Sequence, residues 1–353
     1  MANHVNTIGV DLWGGQVRGT DNLATRYTRV QDAVRHALPV ETLFVGAYAR
    51  FAAACRKVDE PGVALIAIDA YSGRPEGIAT LRARIDRHVA AIVGRHDHCD
   101  LFLARPDLAL RHFAVIVDPV RSFARGAPAP YRLFDLRTTS GLVDEDGREL
   151  RGLRAEGPAV VRVGGYVVFA LPLGDPTDWP EAATDAWACL PQRHYCDELE
   201  RIPEGSRVRT PMLRDRALLR SGSSVVSRTH GPWDSSVEIP AFDGAGDDHA
   251  GTLDVKGPAG SGRLEIGRRA LADGILLGRY ARCDGAGLGG DASISRVHAL
   301  LVQLDDRLLL VDTASRNGSK LAGETPVRVI EVRGESELQL GCKTRVRWRW
   351  SSS

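Results

Sequence analysis

Three short polar clusters lie close together near the C-terminal end of the sequence: Gly278-Arg279, Ser295-Arg296-Val297-His298 and Ser315-Arg316-Asn317-Gly318. Their residue types suit an oxyanion bound beside an extended main chain. Arg279 offers a planar fork that can bind two phosphate oxygens at once. Ser295 adds a short O–H donor, and the Asn317 amide carries both a donor and an acceptor for a ligand's backbone. Gly318 permits a turn with positive φ, which lets a second chain approach closely. His298 has no acid partner among its sequence neighbours and no metal-ligand spacing, so it reads as an internal brace rather than a ligand or a base.

These clusters need rigid elements to hold them. Gly274-Ile275-Leu276-Leu277, Ala299-Leu300-Leu301-Val302 and Leu308-Leu309-Leu310-Val311 are short apolar runs that read as buried strands. The polar residues then fall in the loops between strands, where binding groups usually sit.

In order and spacing, G-R, S-x-x-H and S-x-N-G among short strands resemble the forkhead-associated (FHA) domain, a β-sandwich that recognises phosphothreonine in partner peptides. The resemblance implies that Arg279 and Ser295 hold the phosphate. Arg296 and Arg316 add charge at its edge, Asn317 holds the peptide backbone, and Ser315 counts among the phosphopeptide-binding residues. Gly278, His298 and Gly318 are the structural motif residues.

A weaker copy of the pattern lies upstream. Gly94-Arg95-His96-Asp97-His98-Cys99-Asp100 and Gly278-Arg279-Tyr280-Ala281-Arg282-Cys283-Asp284 share G-R-x-x-x-C-D. Leu108 to His112 then faces Ile294 to His298, and Phe134 to Gly141 faces Val311 to Gly318. In this copy Arg95 and His112 are kept, but Ala109 replaces the phosphate-binding serine and Ser140 replaces the asparagine. Alanine cannot donate to an oxyanion, and serine cannot make an amide's two-way contact. The first site therefore reads as degenerate or repurposed. The loop from Asp118 to Tyr131 is also longer than its counterpart.

The expected fold is all-β: two FHA-type β-sandwiches with a partly helical N-terminal extension and a long linker. The limits are 1–62 for the extension, 63–173 for the degenerate sandwich, 174–250 for the linker and 251–353 for the intact domain. Within the extension, Val30, Val34 and Leu38 form one helical stripe and Phe44, Ala47, Tyr48, Phe51 and Cys55 another, separated at Pro39. Within the linker, residues 179–202 carry Trp179, Trp187, Leu190, Tyr195 and Leu199, enough apolar material to pack on a neighbour. The Gly/Ser-rich remainder reads as flexible, so the sandwiches would be tethered rather than fused unless 179–202 docks them.

With 46 Lys+Arg against 45 Asp+Glu, the 353-residue chain has a formal net charge of +1, which disfavours a general nucleic-acid or membrane surface. No run approaches the length of a spanning helix and no secretory signal is visible, so a cytoplasmic protein is expected. The six cysteines, Cys55, Cys99, Cys189, Cys196, Cys283 and Cys342, are too widely spaced for a disulfide scaffold or a zinc ribbon. No metal site or cofactor is expected, and the Cys189–His194–Cys196 cluster is too widely spaced for a zinc knuckle. The glycine-rich stretch Asp284 to Gly290 sits where the FHA pattern has an exposed loop, with no helix signal behind it as a dinucleotide site requires. No hydrolase elbow, P-loop, zincin or kinase motif is present.

The resemblance thus implies a non-catalytic adaptor or scaffold in Ser/Thr kinase signalling. Its partner would be a phosphothreonine-containing protein or peptide, the kinase itself or one of its substrates. The first domain would be a structural or contact module. Two alternatives stay open: a phosphate-independent scaffold in an assembly such as a secretion apparatus, and an enzyme formed by residues 1–62 with 174–250. Thr210 and Thr229 in the linker also stand as possible internal phosphothreonine ligands for the second domain.

Overall fold

The computed structural model describes residues 36–124, 127, 129–176, 179–190, 226–228, 249–258, 260–280, 283–284 and 290–351. Thr210, Thr229, the first helical stripe up to Val34, His194, Cys196 and most of the glycine-rich loop at 285–289 lie outside the described residues.

The first element among the described residues is helix α1 (Val40–Cys55). Then come β1 (Gly62–Asp69), β2 (Pro75–Arg82), β3 (Val89–Gly94), β4 (Leu101–Phe102), β5 (Phe113–Val117), β6 (Tyr131–Asp135), β7 (Leu142–Val143), β8 (Glu149–Leu150), β9 (Gly152–Ala155), β10 (Ala159–Val163) and β11 (Tyr166–Leu173). Helix α2 (Ala183–Cys189) follows. The second unit holds β12 (Val226–Arg228), β13 (His249–Gly257), β14 (Gly260–Gly267), helix α3 (Arg268–Asp273), β15 (Ile275–Leu277), β16 (Ala299–Leu304), β17 (Arg307–Asp312), β18 (Ser319–Leu321), β19 (Val329–Glu331), β20 (Glu337–Leu340) and β21 (Thr344–Trp350).

Each unit is a sandwich of two sheets. The first stacks β2-β1-β11-β10-β7-β8 on β4-β3-β5-β6-β9, and the second stacks β12-β14-β13-β21-β20-β18 on β15-β16-β17-β19. The register repeats between them: Phe113 faces Asp135 across β5–β6 as Ala299 faces Asp312 across β16–β17. Residues 118–130 join β5 to β6, where only Asp305 and Asp306 join β16 to β17. Each sandwich has its own core, centred on Leu65, Phe113 and Val168 in the first and on Leu253, Leu301 and Trp348 in the second.

The two sandwiches are not merely tethered. Their matching sheets pack face to face, with Ile92, Ala114, Ile116 and Phe134 of the first against Leu276, Leu300, Val302 and Leu309 of the second. This explains why β5 and β17 read as unbroken apolar runs. A sheet with one wet face alternates, as β21 does, but a strand covered on both faces does not. Ion pairs cross the junction: Arg137 to Asp284 at 2.6 Å, Arg328 to Asp100 at 3.2 Å and Arg132 to Asp305 at 3.5 Å, the aspartates Asp284 and Asp100 standing at equivalent positions of the two copies.

Helix α1 covers the outer face of the first sandwich. Leu43, Phe44, Ala47, Tyr48, Phe51 and Cys55 recur at helical spacing and pack on Ile66, Phe169 and Leu171. Pro39 precedes the helix, where its fixed φ and missing N–H do no harm. Residues 179–190 do dock, on α1 rather than between the sandwiches. Tyr48 Oη donates to the Pro180 carbonyl at 2.7 Å, and Arg56 Nε donates to that of Trp179 at 2.8 Å. Of the two helical stripes expected in the extension, the second is α1 and packs on the first sandwich with α2 beside it, while Val30 and Val34 of the first lie outside the described residues. No helix among the described residues is long and apolar enough to cross a membrane.

Candidate phosphopeptide site

The three clusters converge at one end of the second sandwich. Gly278-Arg279 follows β15, Ser295 lies just before β16, and Ser315 to Gly318 connect β17 to β18. Gly278 is a requirement of packing, since a Cβ there would meet the Arg296 carbonyl oxygen at 2.3 Å. That close approach lets Arg279 N–H donate to the Ser295 carbonyl at 3.1 Å and Tyr280 N–H to that of Arg296 at 2.9 Å. Gly318 has φ +73, and a Cβ there would meet Pro326 at 2.6 Å.

His298 is fully buried and joins two of the loops. Its Nδ1 accepts the Ser295 N–H at 3.0 Å, which leaves Nε2 protonated to donate to the Gly318 carbonyl at 3.1 Å. Burial holds its pKa below the ordinary histidine value, against an opposing pull from Asp312 at 3.9 Å. The ring is thus a neutral brace. Asp312 is an acid partner that lies 14 positions on in the sequence, outside the local neighbours of His298.

Asp312 is also the hub of the Ser315 loop. Its carboxylate accepts Ser315 N–H at 2.8 Å, Ser315 Oγ at 2.7 Å and Ser319 Oγ at 2.8 Å. Ser315 is itself buried, and its Oγ accepts Gly318 N–H at 2.9 Å. Its hydroxyl therefore shapes the loop from inside, and the expectation that Ser315 itself binds the phosphopeptide is corrected: both its hydrogen-bonding roles are taken within the loop. A second buried carboxylate, Asp291, binds Ser293 Oγ at 2.6 Å and Thr344 Oγ1 at 2.7 Å. Burial opposes its charge, but these hydrogen bonds prevail and hold its carboxyl below the usual range. Neither aspartate stands out in the sequence; their signal is an acid two or three residues before a serine that it caps.

Arg279, Arg296, Arg316 and Asn317 are exposed around Ser295. Arg279 Nε donates to the Ile294 carbonyl at 2.5 Å, which fixes the guanidinium while its two Nη groups make no bond to a described residue. Ser295 Oγ accepts Arg316 N–H at 3.0 Å, so its own proton remains to be donated. Asn317 Nδ2 donates to the Ser293 carbonyl at 2.7 Å, leaving the amide oxygen for a ligand N–H. The result is a rim of cationic and hydroxyl donors that no described residue takes up, beside the Asn317 amide oxygen.

The first sandwich reproduces the frame. Arg95 Nε donates to the Leu108 carbonyl at 3.2 Å, and Ala109 N–H donates to His112 Nδ1 at 3.2 Å. His112 Nε2 lies 3.0 Å from the Gly141 carbonyl. Thr138 takes the place of Ser315, bonding Asp135 at 2.6 Å. Ala109 and the exposed Ser140 occupy the positions of Ser295 and Asn317. No group of three or more His, Cys, Asp or Glu with metal-binding geometry occurs among the described residues.

Residues 266–341 match the family model of the FHA domain. Among solved structures, the FHA domain of CT664 from Chlamydia trachomatis aligns at 22% identity over 29% of this chain and 99% of its own, with a TM-score of 0.25. Slr1951 from Synechocystis aligns at 21% identity over 30% and 99%, with a TM-score of 0.26. The yeast Dun1 FHA domain, solved with a doubly phosphorylated peptide, aligns at 12% identity over 32% and 75%, with a TM-score of 0.26. A search of curated proteins finds no match. The assignment rests on the family model and on the strand and loop geometry above.

Proposed function

We propose, since residues 266–341 form an FHA domain, that this chain is a phosphothreonine-dependent protein-binding adaptor or scaffold in Ser/Thr kinase signalling. One observation supports the reading: among the described residues the Arg279 Nη groups and the Ser295 hydroxyl proton are bonded to nothing, while Arg279 is fixed through its Nε and Ser295 through the bond that its Oγ accepts from Arg316 N–H. A phosphate seated there gains charge-assisted bonds from groups already held in place. Arg296 and Arg316 supplement the charge, and Asn317 takes the peptide backbone.

The first sandwich, with Ala109 and Ser140 at its rim, serves as a structural and contact module. The domain limits 1–62, 63–173, 174–250 and 251–353 belong to the same reading, as does a cytoplasmic location, where kinases have ATP. The partner is a phosphothreonine protein, either the kinase or its substrate.

Titration calorimetry of the full chain with paired phosphorylated and unphosphorylated peptides, selected from a phosphothreonine library, tests it. Measurable binding of the phosphorylated form alone is expected. Arg279→Ala should weaken it by about 3 kcal/mol, roughly a hundredfold in Kd. Equal affinity for the two forms would overturn the proposal and favour a phosphate-independent scaffold.

A further inference from the structure

We infer that the first sandwich positions the recognition loops of the second through Arg111, with Arg137 as its helper, so that the degenerate copy is a brace for the competent one. The inference rests on the reading of the second domain as the phosphopeptide site.

Arg111 lies between the degenerate-rim residue Ala109 and the start of β5 and is only 6% exposed. No carboxylate among the described residues lies within ion-pair distance of it. Instead its guanidinium crosses the junction. Nε donates to the Thr313 carbonyl at 2.5 Å and, less closely, to that of Ala314 at 3.2 Å. Nη2 donates to the Ala314 carbonyl at 2.6 Å. A buried charge is costly unless fully hydrogen-bonded, so this group has reason to stay only where both carbonyls stay.

The carbonyls in question belong to the residues immediately before Ser315. Ala314 is a non-glycine residue at φ +59, in the left-handed region. Such strain persists only where the surroundings hold it. Thr313 contributes from inside, with N–H to the His298 carbonyl at 3.0 Å and Oγ1 to that of Val297 at 3.0 Å. Arg111 holds the outer side. The loop that carries Arg316 and Asn317 is thus clamped between its own domain and the other one.

Arg137 acts on the opposite arm. Its Nη1 pairs with Asp284 at 2.6 Å and its Nη2 donates to the Gly274 carbonyl at 3.1 Å. The other oxygen of Asp284 accepts Leu276 N–H at 2.9 Å, two residues before Gly278-Arg279. Both arms of the site are therefore tied to arginines of the first sandwich. At the Arg111 tie the two-fold likeness of the copies breaks. The position equivalent to Arg111 in the second domain is Val297, a buried apolar residue that returns no such contact. Arg111 thus supports the copy that keeps Ser295 and Asn317.

The test uses the full chain and compares Arg111→Met with Arg111→Lys. Met keeps the apolar stem without donors, whereas Lys restores one cationic donor. Two readouts are taken: Kd for the phosphothreonine peptide that the wild type binds, and amide hydrogen exchange of residues 313–318. Expected are a tenfold or greater rise in Kd for Arg111→Met, a smaller rise for Arg111→Lys, and exchange at Ser315, Arg316 and Gly318 at least tenfold faster in Arg111→Met. Thermal unfolding of the second sandwich should stay within a few degrees of wild type. Wild-type Kd with a wild-type exchange pattern would overturn the brace while leaving phosphopeptide binding intact. If the wild type shows no phosphate preference, the functional proposal fails by itself. Exchange then decides the brace alone: protection unchanged in Arg111→Met rejects it.

Discussion

His298 and Gly318, 20 residues apart, meet at 3.1 Å through an imidazole N–H and a backbone carbonyl, while the other ring nitrogen holds Ser295. The first sandwich has the same bond between His112 and Gly141 at 3.0 Å, with Ala109 and Ser140 at its rim where the second has Ser295 and Asn317. The histidine belongs to the frame, which the two copies share although their rims differ.

His298→Ala should therefore act first on stability. It leaves the Ser295 N–H and the Gly318 carbonyl without their partner and opens a cavity. Both bonds are part-buried, so water can meet some of the loss, and a total of roughly 2–5 kcal/mol with the cavity included is expected, read from urea unfolding. Phosphopeptide affinity should fall with it, because the Ser295 and Asn317 loops are no longer joined. A loss of affinity with unchanged stability would instead mean that His298 touches the ligand.

Ser295→Ala isolates the hydroxyl. It removes the donor and the acceptor for Arg316 N–H, so affinity should fall by about 1–3 kcal/mol, less than for Arg279→Ala. Because Arg316 is exposed, water can replace the lost bond and stability should change little. Calorimetric titration and thermal unfolding of the same variant separate the two effects.

Acid should loosen the molecule through His88. This histidine is buried near Asp118, Arg132, Asp305, Arg307 and Glu331, close to where the sandwiches meet. Burial, aided by Arg307 and Arg132, lowers its pKa to about 4. It is neutral at pH 7, so its 3.6 Å approach to Asp118 is not an ion pair. A histidine in an unfolded chain titrates near 6.5, so between about pH 6.5 and 4 the unfolded state binds the extra proton. Stability is complete above that window and falls as pH drops through it, by about 3 kcal/mol. His88→Gln should flatten the slope of unfolding free energy against pH in this range. An unchanged slope would reject the assignment.

The convergence of the candidate site residues was legible because their pattern is local. Arginine, serine, asparagine and glycine each announced a role, and the strands that separate them are short apolar runs. The second helical stripe was legible for the same reason: Phe44 to Cys55 repeats at the period of a helix and buries that face. What escaped was relational. Phe113 to Val117 signals a strand covered on both faces, but nothing in the run says that the second cover is the other sandwich. Arg111 looks like any charged residue beside a motif histidine, and only its buried position and its two carbonyl partners give it a role. Asp312 and Asp291 shape the loops through hydrogen bonds that spacing alone does not reveal.

The buried thiols should be inert. Burial pushes Cys55 up to about 12 and Cys99 to about 11, and only the thiolate attacks an alkylating reagent. Cys342, in contrast, is exposed. Brief treatment of the native chain with iodoacetamide near pH 8, read site by site by mass spectrometry, should label Cys342 and leave Cys55 and Cys99 unmodified until denaturant is added. Early labelling of Cys99 would show that the junction between the sandwiches opens readily, since Cys99 lies in the cluster shared by both.

The final prediction concerns the first rim. Ala109 N–H already donates to His112 and Arg95 Nε to the Leu108 carbonyl, so a side chain at 109 leaves the backbone where Ser295 leaves it in the other copy. Ala109→Ser should place a hydroxyl beside Arg95, and Ser140→Asn should supply the missing amide. Leu110 and Thr139 still stand where the second domain has Arg296 and Arg316, so the restored site should be weaker than the natural one, by about 1–3 kcal/mol for each charged contact that is missing. Calorimetry with a phosphothreonine peptide should show the stoichiometry rise from one to two in the double variant, the added class having the lower affinity. A stoichiometry that stays at one would mean the first rim lacks more than these two side chains. A stoichiometry of two in the unmodified chain would mean that the first rim binds without them and is not degenerate.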